Sequence, residues 1–309
     1  MKRIVIDCDP GVDDAQAIMM AYLHPQVKIE AITTVAGNVG VEKTTANALK
    51  ILDVLAAWPI PVFPGAATAL AEEGENASEI HGEDGLGDVS IPVSARTPEE
   101  KPAALALIDL AKKNPGELEL IAIGPLTNLA LALRLEPNLP AYFSRLVIMG
   151  GAYLGQGNTK NPPAEFNIFA DPDAAAVVFS NWPKLTMVSW EATVAHSLSI
   201  ADFKSFFNYD NPRSRFIEQV TRKMMTFLQE EMNLDQSFAA DPLAMAVLME
   251  PEIVTEAVDC FVGVERFGQL SRGMTVVDWY GFSMKAPNTT IVKQVNQHRF
   301  VELLRSAYE

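Results

Sequence analysis

Short runs of β-branched and aliphatic residues, apolar at nearly every position, recur along this chain with helical stretches between them. A strand without a polar face must be covered on both sides, which calls for a mainly parallel sheet between two layers of helices. Strands are expected at residues 2–6, 27–34, 118–123, 146–149 and 185–189, with helices at 14–22, 41–55, 98–112, 127–135 and 172–179. Beyond residue 197 the pattern turns mostly helical (203–228, then 241–249). Further strand-like sequence follows at 260–265, 275–278 and 290–292. No internal repeat or long linker divides the chain, so residues 1–309 are expected to form one α/β domain. Two polar stretches, 72–88 and 229–236, lack periodicity and are expected to be mobile loops over a site.

In such sheets ligands bind beyond the carboxyl ends of the strands. The first expected strand runs into Asp7, the second into Gly37-Asn38, the third into Gly124-Pro125 and the next into Gly150-Gly151. The net charge of −15 argues against nucleic acid and anionic membranes as partners, because phosphate contacts need clustered Lys and Arg. Two cysteines, Cys8 and Cys260, make no disulfide framework, and Cys8 reads as a small apolar filler. The start, Met1-Lys2-Arg3 followed at once by strand and acids, is too short and too quickly polar for a signal peptide. No apolar run is long enough to span a bilayer, and a reducing, cytoplasmic setting is expected.

The chemistry concentrates in Asp7-Cys8-Asp9-Pro10-Gly11-Val12-Asp13-Asp14, four carboxylates in eight residues where a buried strand becomes a helix. A helix dipole is worth up to about 1 kcal/mol to an acid at its start, too little to hold four like charges together. Neighbouring carboxylates raise one another's pKa unless a cation neutralises them, and oxygen-only donors suit Ca²⁺ or Mg²⁺. Solvated acids around a helix cap are the plain alternative; Pro10-Gly11 weighs against it by forcing a turn that aims the acids at one point.

This segment resembles the N-terminal signature of the inosine-uridine-preferring nucleoside hydrolase family. Ile123-Gly124-Pro125-Leu126-Thr127-Asn128, Ala164-Glu165-Phe166-Asn167-Ile168 and Asp241-Pro242-Leu243-Ala244 match in the same order. The resemblance implies a Rossmann-like open sheet and hydrolysis of ribonucleosides to ribose and free base. It implies a single Ca²⁺ on Asp9, Asp14, the main-chain carbonyl of Thr127 and Asp241, with Asp9 as general base toward a bound water. Asp13 and Asn38 would face the ribose, Glu165, Phe166 and Asn167 its far side, and Asp7 would support the cluster from behind. An asparagine upstream of Glu165, Asn158 or Asn161, would join them, with Asn158 favoured. A homodimer or homotetramer is implied as well.

Each assignment has a purely structural counterpart. Thr127 and Asn128, or Asp241 before Pro242, could simply cap helices, and Glu165 and Asn167 could be loop polarity. The family's His or Trp before the late aspartate is here Ala240, so base preference does not carry over and the leaving group needs another donor. His81 is the best candidate and His196 a weaker one. Trp58, Trp182 and Trp190 read as packing. Two other functions compete. One is a haloacid-dehalogenase-like Mg²⁺ phosphatase, disfavoured because Pro10 interrupts its pattern. The other is a calcium-stabilised binding protein that lost its leaving-group donor.

Overall fold

The computed structural model describes residues 1–71 and 76–309. Eleven strands are present among them: β1 Lys2–Cys8, β2 Val27–Thr34, β3 Val62–Pro64, β4 Leu118–Ala122, β5 Phe143–Met149, β6 Leu185–Val188, β7 Leu198–Ser199, β8 Gln236–Ser237, β9 Val254–Val264, β10 Thr275–Asp278 and β11 Thr289–Val295. Nine form one sheet in the order β10-β9-β11-β6-β5-β4-β1-β2-β3, and β7 pairs with β8 apart from it. From β11 to β3 neighbouring strands are parallel; β9 runs antiparallel to both β11 and β10.

Two apolar layers sandwich the sheet. Ile4, Ile6 and Cys8 point into one with helices Val12–Leu23, Pro212–Thr226 and Ala240–Met249; Val5 points into the other with Ala103–Lys113, Thr127–Leu135 and Pro172–Asn181. Successive strand residues alternate faces, so covering both faces requires apolar side chains throughout, as the sequence has. The chain passes from β1 outward to β2 and β3, then returns to lay β4 on the other side of β1. Strand order therefore reverses between β1 and β4, and the loops there diverge into a crevice. Asp9 follows β1 and Gly124 follows β4 at this point, tied by the Ile123 N–H donating to the Asp7 carbonyl at 2.8 Å.

The expected elements are present with shifted edges, and two differences are instructive. The helical stretch expected at 203–228 is broken into Ile200–Lys204, a 3₁₀ turn at Ser205–Asn208 and Pro212–Thr226. Pro212 keeps Asn211 out of helical conformation, and the Asn211 side chain caps the new helix by accepting the Ser214 N–H. β9 starts at Val254, six residues before the expected edge, because the exposed acids Glu256 and Asp259 mask its pattern. Strand β3 and helix Gln297–Ser306 were not anticipated.

Of the expected lids, 72–75 lie outside the described residues. The rest of the first contains a helical turn at Ser78–His81 and a Gly82–Asp88 turn in which Asp84 accepts the Leu86 and Asp88 N–H groups. The second, 229–236, is occupied by the end of a π-helical turn, Phe227–Glu231, and the first residue of β8. Among the described residues no helix is long and apolar enough to cross a membrane.

Candidate active site at the carboxyl edge of the sheet

Asp9 sits where β1 ends, with Gly37 on one side and Gly124 on the other. A Cβ on Gly37 would collide with Asp9 Oδ2, and one on Gly124 would lie 2.5 Å from Oδ1. The carboxylate is thus gripped between two backbones that only glycine lets approach. Oδ2 accepts the Asn38 N–H at 2.7 Å, while the buried Oδ1 has no hydrogen-bond partner. Gly124→Ala is expected to turn this carboxylate away and cut turnover at least 100-fold with the fold kept, read by reducing-sugar release alongside circular dichroism. Activity within a factor of three of wild type would contradict this placement.

Asp14 lies in the first turn of Val12–Leu23, buried, accepting the Gly11 N–H at 2.9 Å, the Asp9 N–H at 3.2 Å and the Asn38 amide at 3.3 Å. Asp241 enters from Ala240–Met249, also buried. Carboxylate oxygens of Asp13, Asp14 and Asp241 come within 4.8 Å of one another. The resemblance implies Asp9 with Asp14 and Asp241; here Asp13 takes that place among the clustered oxygens, and Asp9 is tied to them through its N–H, which donates to Asp14 Oδ1.

Burial pushes the carboxyls of Asp9, Asp14 and Asp241 up, and their mutual repulsion adds to it; Asp14 reaches about 8. Glu165 is raised to about 7 by burial, although the N–H groups of Asn167, Gly151 and Ile168 oppose the shift. Behind the cluster, Asp7 is likewise raised to about 7 by burial against hydrogen bonds from Thr33 and Asn128. So many buried acids cannot all ionise by themselves. An all-oxygen donor set with an orphaned buried oxygen fits a hard divalent cation. Asp7, whose Oδ1 is held by Asn128 and Thr33, ties β1 to β2 and to the helix Thr127–Leu135 and is not part of the cavity lining.

The cavity beside these acids is lined by Asp13, Asn38, His81, Asn158, Glu165, Phe166, Asn167 and Asp241, so every substrate-contacting residue expected from sequence is brought together. Glu165 caps the short helix Phe166–Ala170 and accepts Gly151 N–H at 2.9 Å; Asn167 donates its amide to the carbonyls of Ile123 and Met149. Between the two asparagines left open, Asn158 lines the cavity, its Oδ1 accepting the Phe166 N–H, whereas Asn161 donates to the Arg272 carbonyl elsewhere. No Lys or Arg lines this cavity among the described residues, which removes the support a phosphate-binding site would need.

Two expectations are corrected. Thr127 does not face this cavity: it lines a neighbouring one, and its hydroxyl donates to Asp171 at 2.7 Å. As the first residue of Thr127–Leu135 its carbonyl points along the helix into the hydrogen-bond ladder. Ile123, in the bend between β4 and that helix, lines the cavity instead. His196 is no donor to a leaving group. It is buried, with Nδ1 on the Ala192 carbonyl, and Nε2 accepts the Val295 N–H, bracing β11.

His81 is buried rather than solvated. Its Nδ1 accepts the Val12 N–H at 3.1 Å and lies 4.0 Å from Asp13 Oδ1. That bond leaves the ring proton on Nε2. Burial lowers its pKa, with Asp13 opposing, so the neutral ring is the favoured form. Sequence reasoning missed the apolar part of the lining, Ile80, Met149, Trp190, Met224, Leu228 and Phe238. Trp190 follows β6, and its place at a strand's carboxyl end was the signal available.

Residues 4–302 match the family model described as inosine-uridine preferring nucleoside hydrolase. The pyrimidine-specific ribonucleoside hydrolase RihA of Klebsiella pneumoniae subsp. pneumoniae is 38% identical over 302 residues, covering 97% of this chain and 96% of the relative. Among solved structures, an inosine-guanosine nucleoside hydrolase superposes with a TM-score of 0.93 at 33% identity, covering 99% of this chain and 98% of the other. The purine-preferring ribonucleoside hydrolase from Gardnerella vaginalis gives 0.90 at 30%, with the same coverage. Sheet order, acidic cluster and these matches agree: the chain belongs to the inosine-uridine preferring nucleoside hydrolase family and is a hydrolase of the N-glycosidic bond of ribonucleosides.

Proposed function

We propose that hydrolysis proceeds with Ca²⁺ held by Asp9, Asp14, Asp241 and the main-chain carbonyl of Ile123, and with Asp9 as the general base. Two observations carry this reading: the Asp13-Asp14-Asp241 oxygens gathered within reach of one ion, and the unpartnered, buried Oδ1 of Asp9, whose backbone N–H donates to Asp14 at 3.2 Å. Bound Ca²⁺ supplies positive charge that keeps the carboxylates ionised and lowers the pKa of water. Asp9 Oδ1 takes the proton as the water oxygen bonds to C1′ and the C1′–N bond breaks toward the base. Positive charge building on the ribose is stabilised by the surrounding acids, which are fixed before the reaction starts. Asp13 and Asn38 hold ribose hydroxyls on one side, and Asn158, Glu165, Phe166 and Asn167 hold the other. His81 gives the departing base a hydrogen bond from its Nε2–H, the nitrogen left protonated when Nδ1 accepts the Val12 N–H, and the base leaves as its anion and takes its proton from solvent.

Residues Ala77, Ile80 and His81 of one polar segment and Leu228 beside the other line the cavity, which supports a lid role for both. We propose a cytoplasmic homodimer or homotetramer. Exposed Phe267, Leu270, Tyr280, Phe282 and Met284 on one stretch of chain support self-association, and size-exclusion chromatography with light scattering tests it.

The direct test measures reducing sugar released from purine and pyrimidine ribonucleosides. Release is expected to stop with a calcium chelator and return with added Ca²⁺. Ala240, which has no proton to donate, favours one other reading, a binding protein. Ca²⁺ and nucleoside binding by calorimetry without any release would establish it.

A further inference from the structure

We infer that Tyr308 and Gln16 are positioning residues that hold the His81 ring in the cavity wall through the main chain of Val12, an inference that rests on the role given to His81 above. Three hydrogen bonds join them in a row. The Tyr308 hydroxyl donates to Gln16 Oε1 at 2.8 Å, and the Gln16 amide donates to the Val12 carbonyl at 3.3 Å. The Val12 N–H then donates to His81 Nδ1 at 3.1 Å. The direction of each bond is forced. A carbonyl can only accept, so the Gln16 amide turns its nitrogen to Val12 and its oxygen to Tyr308. A backbone N–H can only donate, so Nδ1 carries no proton and Nε2 keeps the one that faces the base.

Among the described residues the His81 ring has no other hydrogen bond, and its own element is a single helical turn, Ser78–His81. The ring lies so close to the Gly11–Val12 turn that a Cβ on Gly11 would come within 2.6 Å of Nδ1. A tilt of the Val12 peptide is therefore passed to the ring. At the far end, Tyr308 is fully buried against Phe203, Phe206 and Phe207, with ring centroids 6.1, 5.5 and 5.9 Å away. Its carbonyl accepts the Asn211 amide at 2.7 Å, and burial pushes its phenol up, so it stays an O–H donor. Gln16 is buried as well, so water cannot replace either of its bonds. A phenylalanine and a methionine would fill the same space without polar atoms in the core. What the polar pair adds is direction, because a satisfied buried network fixes the rotation of the peptide that it holds.

Tyr308→Phe removes the hydroxyl and keeps the ring. It is expected to lower kcat for inosine and uridine about tenfold with KM within about twofold, because the His81 bond strengthens only as the base departs. In a His81→Ala background the same substitution should cost less than about twofold, since the group it acts through is gone. Tyr308→Phe combined with Gln16→Met replaces both polar partners by apolar groups. The melting temperature should then return close to wild type while the loss in kcat remains. A further readout needs no turnover. In nitrogen NMR of isotope-labelled histidine, wild-type His81 should show a bare Nδ1 and a protonated Nε2, and Tyr308→Phe should move both toward the average of the two tautomers.

Equal losses with and without His81, a kcat that recovers together with the melting temperature, or a His81 spectrum unmoved by Tyr308→Phe would each overturn the proposal. So would a raised Ca²⁺ requirement in Tyr308→Phe, which would place the effect on Asp13 and Asp14 instead. Absence of all hydrolysis by wild type, with the His81 spectrum moving as stated, would overturn the hydrolytic reading and leave the positioning of His81 standing.

Discussion

Asp9→Ala is expected to reduce ribonucleoside hydrolysis by about 10³-fold or more, at the upper end of what a single general base contributes, because the same oxygen also serves the cation. The substitution removes the orphaned, buried Oδ1. It also strands the buried Asn38 N–H, which now donates to Oδ2 at 2.7 Å, at a cost of about 1–3 kcal/mol in stability. Asp9→Asn keeps the shape and an oxygen for Asn38 but not the basicity, so it separates the two losses. Both variants should be nearly inactive while Asp9→Asn melts close to wild type. Activity in Asp9→Asn within tenfold of wild type would assign the base to another residue.

Stability of the metal-free chain should fall as pH rises, opposite to the trend of a protein whose carboxylates are paired. Asp7 and Glu165 titrate near 7 when folded, against ordinary values of 3.8 and 4.5, because burial disfavours their charged forms. Between about pH 4 and 7 the folded chain therefore binds more protons than the unfolded one, so the free energy of unfolding declines across that window. Below pH 4 the contribution is fully present; above 7 it is gone. On the scale of about 1.4 kcal/mol per pKa unit the two groups together account for roughly 8 kcal/mol. The exposed ion pairs, such as Lys223–Asp88, run the other way but contribute little each.

Added Ca²⁺ should reverse the loss at pH 8, since ligand at about 100 times its Kd stabilises by about 2.7 kcal/mol. For a chain of this size that corresponds to a Tm rise of about 4 °C. Thermal melts at pH 5 and 8, in chelator and then in Ca²⁺, check both halves. A chelated protein that melts no lower at pH 8, and that Ca²⁺ leaves unmoved, would mean the acidic cluster is not a cation site.

What the amino-acid sequence determined by itself was the part written in local order. Apolar strands separated by helices specify a parallel sheet, because no other arrangement covers both faces of each strand. The motifs place their acids and amides at strand ends, and the structure draws Asp13, Asn38, His81, Asn158, Glu165, Asn167 and Asp241 around one cavity. Pairwise placement was beyond it. Whether Asn158 or Asn161 reaches the cavity depends on how the 151–164 loop folds against Arg272 and Phe166. Whether Thr127 or Ile123 turns toward it depends on where the helix ladder begins.

The histidines show the same division. His81 and His196 look alike in sequence, yet Val12 orients one into the cavity wall and Val295 locks the other under β11. Trp190 and Phe238 lie 48 residues apart in numbering and meet only because β6 and the loop before Asp241 end at the same edge. Hydrophobic pattern sets which face of an element is buried. Which buried groups meet is set by long-range packing, and that is where the cavity is made.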